Sequence, residues 1–144
     1  MSTRTEKLIA GCRLLQLPLR GDERGSLVPI EAAREVAFDI RRVYTVFGTL
    51  PGVSRGFHAH LATQQVAVAA AGGCTMVLDD GSGRQSIRLD RPDLALTIPP
   101  MVWHEMEDFT PDCVLMVLAD SYYDEADYVR DHARFLELVA GDHA

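Results

Sequence analysis

Two histidines separated by one residue, His58-Ala59-His60, are the first place in this sequence where chemistry could be done. In an extended segment, alternate residues point to the same side, so both imidazoles share one face. Imidazole titrates near neutrality and suits proton transfer, and three neutral imidazoles can also hold a divalent metal. A lone histidine on an apolar strand is usually a packed core residue, but a pair beside Arg55 and Phe57 points to a site. The surrounding spacing is ordered. Gly52 lies six residues before His58, Gln65 five after His60, and Gly72 seven after Gln65. Farther on, Pro99 is followed five residues later by a third histidine, His104. A metal site would draw on His58, His60, His104 and Gln65. Gln65 brings an amide to that set and so no negative charge to attract a hard cation.

Further residues could share the same mouth. In segment 40–47, Arg42 and Tyr44 alternate with Arg41, Val43 and Thr45 and therefore share a face. A guanidinium beside a phenol suits a ligand carrying phosphate and sugar hydroxyls. A solvated arginine next to a core tyrosine fits the same pattern. Trp103, the only tryptophan, could wall a pocket by stacking or fill the core.

Composition bounds the partners. The 144 residues carry 14 lysines and arginines against 21 acidic residues, a net charge of −7, with no basic cluster longer than Arg41-Arg42. That argues against a nucleic-acid backbone or an anionic membrane as partner. A small phosphorylated ligand is not excluded, because a few local arginines can bind one inside an acidic protein. Apolar residues make up 47% of the chain, enough for one core, yet no apolar run approaches the ~20 residues of a membrane span. The opening MSTRTEKLIAG holds no apolar stretch long enough for a signal peptide. Cys12, Cys74 and Cys113 form no CxxC and are odd in number. Buried, reduced thiols and a cytoplasmic protein are the expectation.

The elements that must position these groups are mostly strands. Short apolar or alternating runs at 12–18, 26–31, 40–47, 54–59, 64–71, 74–79, 85–90, 94–98 and 113–120 are separated by turn residues. Leu50-Pro51-Gly52, Gly72-Gly73, Asp79-Asp80-Gly81, Arg91-Pro92-Asp93 and Pro99-Pro100 mark those turns. Residues 1–10 are expected to fray or to form a first edge strand. Many short strands at this spacing predict a sandwich or barrel. Residues 124–140 lack proline and glycine, with Tyr128, Phe135, Leu136 and Val139 on one helical stripe and Asp124 as an N-cap. The expectation is a single domain over 1–144, all-β from about 12 to 120, closed by one C-terminal helix over about 124–140.

The spacing Gly-x5-His-x-His-x4-Gln-x6-Gly resembles the first cupin motif, with Gln65 where a carboxylate usually stands. Pro99 to His104 resembles the second, with Met101 in place of its usual glycine and Asp108 matching its asparagine. The resemblance implies a cupin-type jelly-roll barrel. Longer stretches narrow it. Arg24-Gly25-Ser26-Leu27-Val28, Arg41-Arg42-Val43-Tyr44, Arg55-Gly56-Phe57-His58-Ala59-His60 and Trp103-His104-Glu105-Met106 resemble the dTDP-4-keto-6-deoxy-D-glucose 3,4-ketoisomerases. So does the run from Asp112 through Ala119 into Tyr122-Tyr123-Asp124-Glu125, and the likeness spans roughly residues 20–135.

That resemblance implies a metal-independent isomerase with no cofactor, acting on a dTDP-linked 4-keto-6-deoxy sugar as a strand-exchanged homodimer. It implies His58 and His60 as catalytic, with Tyr44 donating a hydrogen bond. It implies that Arg55, with Tyr44, lines the sugar and nucleotide pocket and that Arg24 and His104 are pocket positions; Arg42, Gln65 and Trp103 join the expected substrate-binding set from their own place beside the motifs. Arg24 and His104 resemble the branch that gives dTDP-3-keto-6-deoxy-D-galactose. The alternatives are a dTDP-sugar 3,5-epimerase on the same fold, a non-catalytic sugar-binding cupin, and a metal-dependent cupin such as a dioxygenase.

Overall fold

Residues 65–71, Gln-Val-Ala-Val-Ala-Ala-Ala, offer almost no polar side to solvent, and the first five of them are buried. A strand buried on both faces belongs at the centre of a sheet with material on either side. The computed structural model describes residues 5–142 and places that strand accordingly. Thirteen strands occur among them. They are β1 (Thr5–Lys7), β2 (Arg13–Gln16), β3 (Arg20–Asp22), β4 (Gly25–Leu27), β5 (Arg42–Phe47), β6 (Arg55–His60) and β7 (Gln65–Ala71). There follow β8 (Cys74–Asp79), β9 (Arg84–Leu89), β10 (Leu94–Ile98), β11 (Trp103–Glu107), β12 (Val114–Ala119) and β13 (Tyr128–Val129), then helix α1 (His132–Asp142).

The strands form a six-stranded sheet in the order β1-β2-β10-β7-β12-β5, a five-stranded sheet β13-β6-β11-β8-β9, and the hairpin β3-β4. All named pairs are antiparallel. The core between the sheets takes Ala67, Ala69, Leu96, Leu115 and Val117 from the first and Met76, Leu78, Leu89 and Met106 from the second. The outer face of the first sheet is covered by Val36 with Val28, Ile30, Phe38 and Ile40 of the 28–40 segment, packed on Val66, Val68 and Leu118. The outer face of the second is covered by α1, whose Phe135 packs on Ala59, Trp103 and Val129. This is the jelly-roll barrel with one C-terminal helix that the motif spacing implied.

Two expectations need correction. Residues 103–107 form β11, where no strand was expected. The C-terminal helix does not begin at 124. Residues 125–127 are a single tight turn capped by Asp124, which accepts from Ala126 N at 3.0 Å. Residues 128–129 then add β13 to the edge of β6, pairing Tyr128 with His60 and Val129 with Ala59. Only after that does α1 start, with Asp131 accepting from Ala133 N at 3.0 Å as its cap. The expected first edge strand within 1–10 is β1, and residues 1–4 lie outside the described residues.

Two positive-φ sites shape the strands that carry the histidines. Gly56 has φ +91°, and a Cβ there would lie 2.9 Å from His104 O, so only glycine fits. With Phe57 at φ +58°, it forms a bulge opposite the His104/Glu105 step of β11. Met101, at the motif's glycine position, keeps the left-handed backbone of that glycine at φ +62°.

Candidate active site

The bulge in β6 turns His58 and His60 into the barrel while Ala59 faces outward to Phe135. On β11, His104 pairs with His58 and points the same way. Ring centroids are 4.6 Å apart for His58 and His104, 5.1 Å for His58 and His60, and 6.0 Å for His60 and His104. One ring nitrogen from each lies within 4.8 Å of the others. All three side chains are nearly or fully buried at 9%, 2% and 3% exposure.

Each imidazole is held by one nitrogen. His58 Nδ1 lies 3.1 Å from Gly56 O, His104 Nδ1 3.1 Å from Val102 O, and His60 Nδ1 2.9 Å from Asp127 Oδ2. Carbonyl and carboxylate oxygens only accept, so each Nδ1 donates. Nε2 is therefore the nitrogen left free, and Nε2 of His58 and of His60 is buried without a partner among the described residues. Burial is the main reason the histidines stay neutral. It pushes His58 down to about 4 and His104 down to about 3, and it lowers His60. A neutral imidazole with a bare Nε2 is the form a general base requires.

Asp127 is the first of the site residues that sequence reasoning missed, with Tyr128 and Arg130 after it. Burial opposes its ionisation, but hydrogen bonds from Thr63, His60 and Ala62 N outweigh that and hold its carboxyl below the usual range. The Thr63 hydroxyl lies 2.5 Å from Oδ2 and Ala62 N 2.7 Å from Oδ1, so the carboxylate is fixed before it meets His60. Its place is the turn before β13, inside the expected helix. The acidic stretch from Asp124 to Asp127 was visible, but nothing in its spacing paired it with His60, 67 residues away.

His58 opens into a cleft of about 420 Å³ lined also by Arg42, Tyr44, Arg55, Met106, Tyr123, Tyr128 and Arg130, among others, with His60 and His104 packed behind it. Arg42 and Tyr44 share the inner face of β5, as their alternation predicts. Tyr44 Oη accepts from Gln65 Nε2 at 2.9 Å, which leaves the phenolic hydrogen free for a ligand. Burial is the main cause that raises the Tyr44 phenol, so it stays protonated. Tyr128 packs against the histidines, its ring 4.4 Å from His60 and 5.0 Å from His58. Arg130 lies 4.3 Å over that ring and is held by Glu125 through two hydrogen bonds of 2.7 and 3.0 Å. With Arg42 and Arg55, Arg130 gives the cleft three guanidinium groups.

Three expected substrate-binding residues stand elsewhere. Gln65 is 2% exposed and touches Tyr44, so it positions the phenol rather than lining the cleft. Trp103 lies on the outer face of β11 beneath α1, its Nε1 donating to Glu105 Oε2 at 2.9 Å. Strand alternation puts it opposite His104. Arg24 is on the exposed β3–β4 hairpin, paired with Asp22 at 2.6 Å and away from the cleft of its own chain.

Residues 10–140 match the family model for FdtA, described as WxcM-like, C-terminal. The chain belongs to this family. It is 50% identical over 119 residues to a TDP-4-oxo-6-deoxy-alpha-D-glucose-3,4-oxoisomerase from Aneurinibacillus thermoaerophilus, covering 83% of this chain and 86% of that one. Among solved structures it resembles a 3,4-ketoisomerase from Helicobacter canadensis, at 39% identity and TM-score 0.88, over 90% of this chain and 97% of that one. It also resembles a sugar 3,4-ketoisomerase from Thermoanaerobacterium thermosaccharolyticum in complex with TDP, at 34% identity and TM-score 0.92, over 95% and 100%. A histidine-to-asparagine mutant of that enzyme, in complex with TDP-4-keto-6-deoxyglucose, matches at 34% and 0.91, over 93% and 97%. A dTDP-6-deoxy-D-glucose-3,5-epimerase from Legionella pneumophila, at 17% identity and TM-score 0.75, shares the fold.

Proposed function

We propose that this chain works as a single cupin domain that converts dTDP-4-keto-6-deoxy-D-glucose to a dTDP-3-keto-6-deoxyhexose. The observation that carries the reading is the pair of neutral imidazoles with bare Nε2 atoms, His58 and His60, with His58 lining a cleft that also holds a free phenolic hydrogen and three arginines. Membership of the ketoisomerase-containing family supports it.

The reaction moves a carbonyl from C4 to C3. The C3 hydrogen is acidic because the ketone is adjacent. His58 Nε2 takes that proton, and the electron pair of the C3–H bond becomes the C3–C4 double bond of an enediolate with its charge on the C4 oxygen. Tyr44 Oη–H donates to that oxyanion, a role positioned donors fill in a dry site. His60, neutral at rest, takes the C3 hydroxyl proton on its bare Nε2, is held as imidazolium by Asp127, and passes that proton to the C4 oxygen. His58 returns its own proton to C4 as the C3 carbonyl forms, so both imidazoles end neutral as they began. Each carbon and each oxygen then balances, with no net gain or loss of electrons.

Arg42, Arg55 and Arg130 are the groups for the pyrophosphate. The Arg24 and His104 pair points to the galacto product. Arg24 lies away from its own cleft, and the strand-exchanged homodimer is the arrangement that would bring it to a partner's. The exposed Leu27 of its hairpin lines an apolar groove of about 320 Å³ with Val68 and Met116, which supports a second copy on this face. Light scattering on the eluting protein tests that state. Among the described residues no helix is long and apolar enough to cross a membrane. The three free, buried cysteines fit a reducing cytoplasm.

Incubation with dTDP-4-keto-6-deoxyglucose in D₂O, followed by NMR, tests the reading. A ketoisomerase places deuterium at C4 of the product and C3 of recovered substrate. Deuterium at C5 would mean an epimerase, and unchanged sugar would mean a binding protein.

A further inference from the structure

The three guanidinium groups of the cleft are not equally available. Among the described residues Arg42 and Arg55 form no ion pair. Arg42 is held by aromatic rings instead, 5.6 Å from the centre of Tyr44 and 5.8 Å from that of Tyr123. Its Nε is buried without a partner among the described residues. Arg130 differs. Its Nε and Nη2 donate to the two carboxylate oxygens of Glu125 at 2.7 and 3.0 Å. The Tyr123 hydroxyl donates to the same carboxylate at 2.5 Å, so a second side chain aims it. Hydrogen bonds from Arg130 and then Tyr123 hold the Glu125 carboxyl down to about 2, so it is charged throughout the neutral range. Glu125 does not itself line the cleft. An arginine that faces the cleft therefore already carries an anion.

That pair is suited to exchange. The two side chains are 50% and 59% exposed, and ion pairs so placed add little to stability. A phosphate presents a guanidinium with the same two-oxygen geometry as a carboxylate. Arg130 can change partners without leaving its seat. It lies 4.3 Å over the Tyr128 ring through the face of the guanidinium, while its hydrogen bonds leave from the edge.

We propose that Glu125 is an internal anion that occupies Arg130 in the free protein and yields it to the pyrophosphate of the nucleotide sugar, so that Glu125 sets how tightly the ligand is held. Glu125 is thus a positioning residue that acts through Arg130. The proposal rests on the nucleotide-sugar reading of the cleft.

The test is calorimetric titration of the full-length protein with dTDP-glucose, which has no ketone and is not turned over. Glu125→Gln should bind it roughly fivefold tighter or more, the factor for removing one competing charge at contact distance in water. Tyr123→Phe, which takes away one support of the carboxylate and keeps the ring beside Arg42, should shift binding the same way by less. With Arg130→Met also present, the gain from Glu125→Gln should vanish. A gain of equal size there would make Glu125 a mere source of repulsion and overturn the exchange. Weaker or unchanged binding in a folded Glu125→Gln protein would overturn it too, and make Glu125 a brace for Arg130. Should that variant fail to fold, Tyr123→Phe decides by the same criterion. In turnover of dTDP-4-keto-6-deoxyglucose, Glu125→Gln should lower KM without raising kcat, and a rise in KM would count against the proposal. Tighter binding in a protein with no turnover would leave the exchange standing and remove the ketoisomerase reading. If neither wild type nor variant binds dTDP-glucose, the nucleotide-sugar reading falls and the exchange falls with it.

Discussion

On the inner face of β6 and β11 stand His58, His60 and His104, and on the outer face of the same strands stand Ala59, Trp103 and Glu105. Both faces are buried and both carry polar atoms, but they dispose of them differently. The outer polar groups form a closed chain. Trp103 donates to Glu105 at 2.9 Å, Arg84 bridges Glu105 and Asp79 at 3.2 and 3.1 Å, and Asp79 accepts from His132 of α1 at 2.8 Å. The inner groups leave Nε2 of His58 and His60 without partners among the described residues. A satisfied network fixes a helix to a sheet, whereas an unsatisfied buried group is an unspent capacity to bind something else. Alternate residues of one strand thus serve stability on one side and reactivity on the other.

The largest expected effect comes from breaking the inner side. His58→Asn should lower kcat by ~10²–10⁴-fold, the usual share of a general base. Because the lost Nε2 has no partner among the described residues, stability should hold or rise, which thermal melts check. Retention of more than about a tenth of the rate would remove His58 as the base. The same side predicts the pH response. In the unfolded chain the imidazoles titrate near 6.5, while burial holds His58 at about 4 and His104 at about 3 in the folded one. Between those values the unfolded state binds more protons, so stability is greatest above 6.5 and is lost as pH falls towards 4. The acid limb of kcat/KM should likewise lie well below 6.5. His58→Asn should flatten the stability profile over that window, as unfolding in urea at several pH values would show.

Breaking the outer side should do the reverse. Trp103→Ala removes a side chain that is 3% exposed, and should cost ~3–5 kcal/mol of stability, with kcat per folded molecule close to that of the wild type. Denaturant unfolding and active-site titration at low temperature would separate the two quantities. A loss of kcat with little loss of stability would return Trp103 to the substrate site where sequence reasoning first placed it.

Asp127 sharpens the comparison because it is a buried acid that serves the inner face. Asp127→Asn should lower kcat roughly 10–100-fold, the worth of a charge-assisted hydrogen bond of ~1.5–3 kcal/mol. It should also change the pH profile of kcat, which a purely structural role for the loop would leave alone.

How much of this was legible beforehand depends on which force set each element. β5, β7, β8, β10 and β12 lie within two residues of their expected bounds, because alternation and turn residues are local signals. β11 was missed because Trp-His-Glu-Met-Glu puts polar residues on both faces, one set for the cleft and the other for the outer network. The helix was started too early because the sequence offers two capping aspartates, Asp124 and Asp131, and Tyr128 fits a helical stripe. The competing term, pairing of Tyr128 and Val129 with the edge of β6, is non-local and has no trace in periodicity. The histidine cluster, Arg42, Tyr44 and Arg55 were legible as types at a spacing. Asp127, Tyr128 and Arg130 were not, because they reach the cleft only through that pairing. Gln65 was legible as an oddity, and its meaning came from its bond to Tyr44.

The smallest expected effect is the most direct check that the two faces are separate. Glu105 accepts from Trp103 and faces Arg84, whose side chain is 48% exposed. Glu105→Gln keeps an acceptor for the indole and removes only an ion pair with a half-solvated partner. Such pairs are worth about 0–1 kcal/mol. The melting temperature should move by a few degrees at most, and kcat and KM should not move, although the neighbouring residue in sequence is His104. A fall in kcat would mean that charge on the outer face reaches the imidazoles through the strand. The division between a satisfied outer side and a reactive inner side would then need to be redrawn around β11.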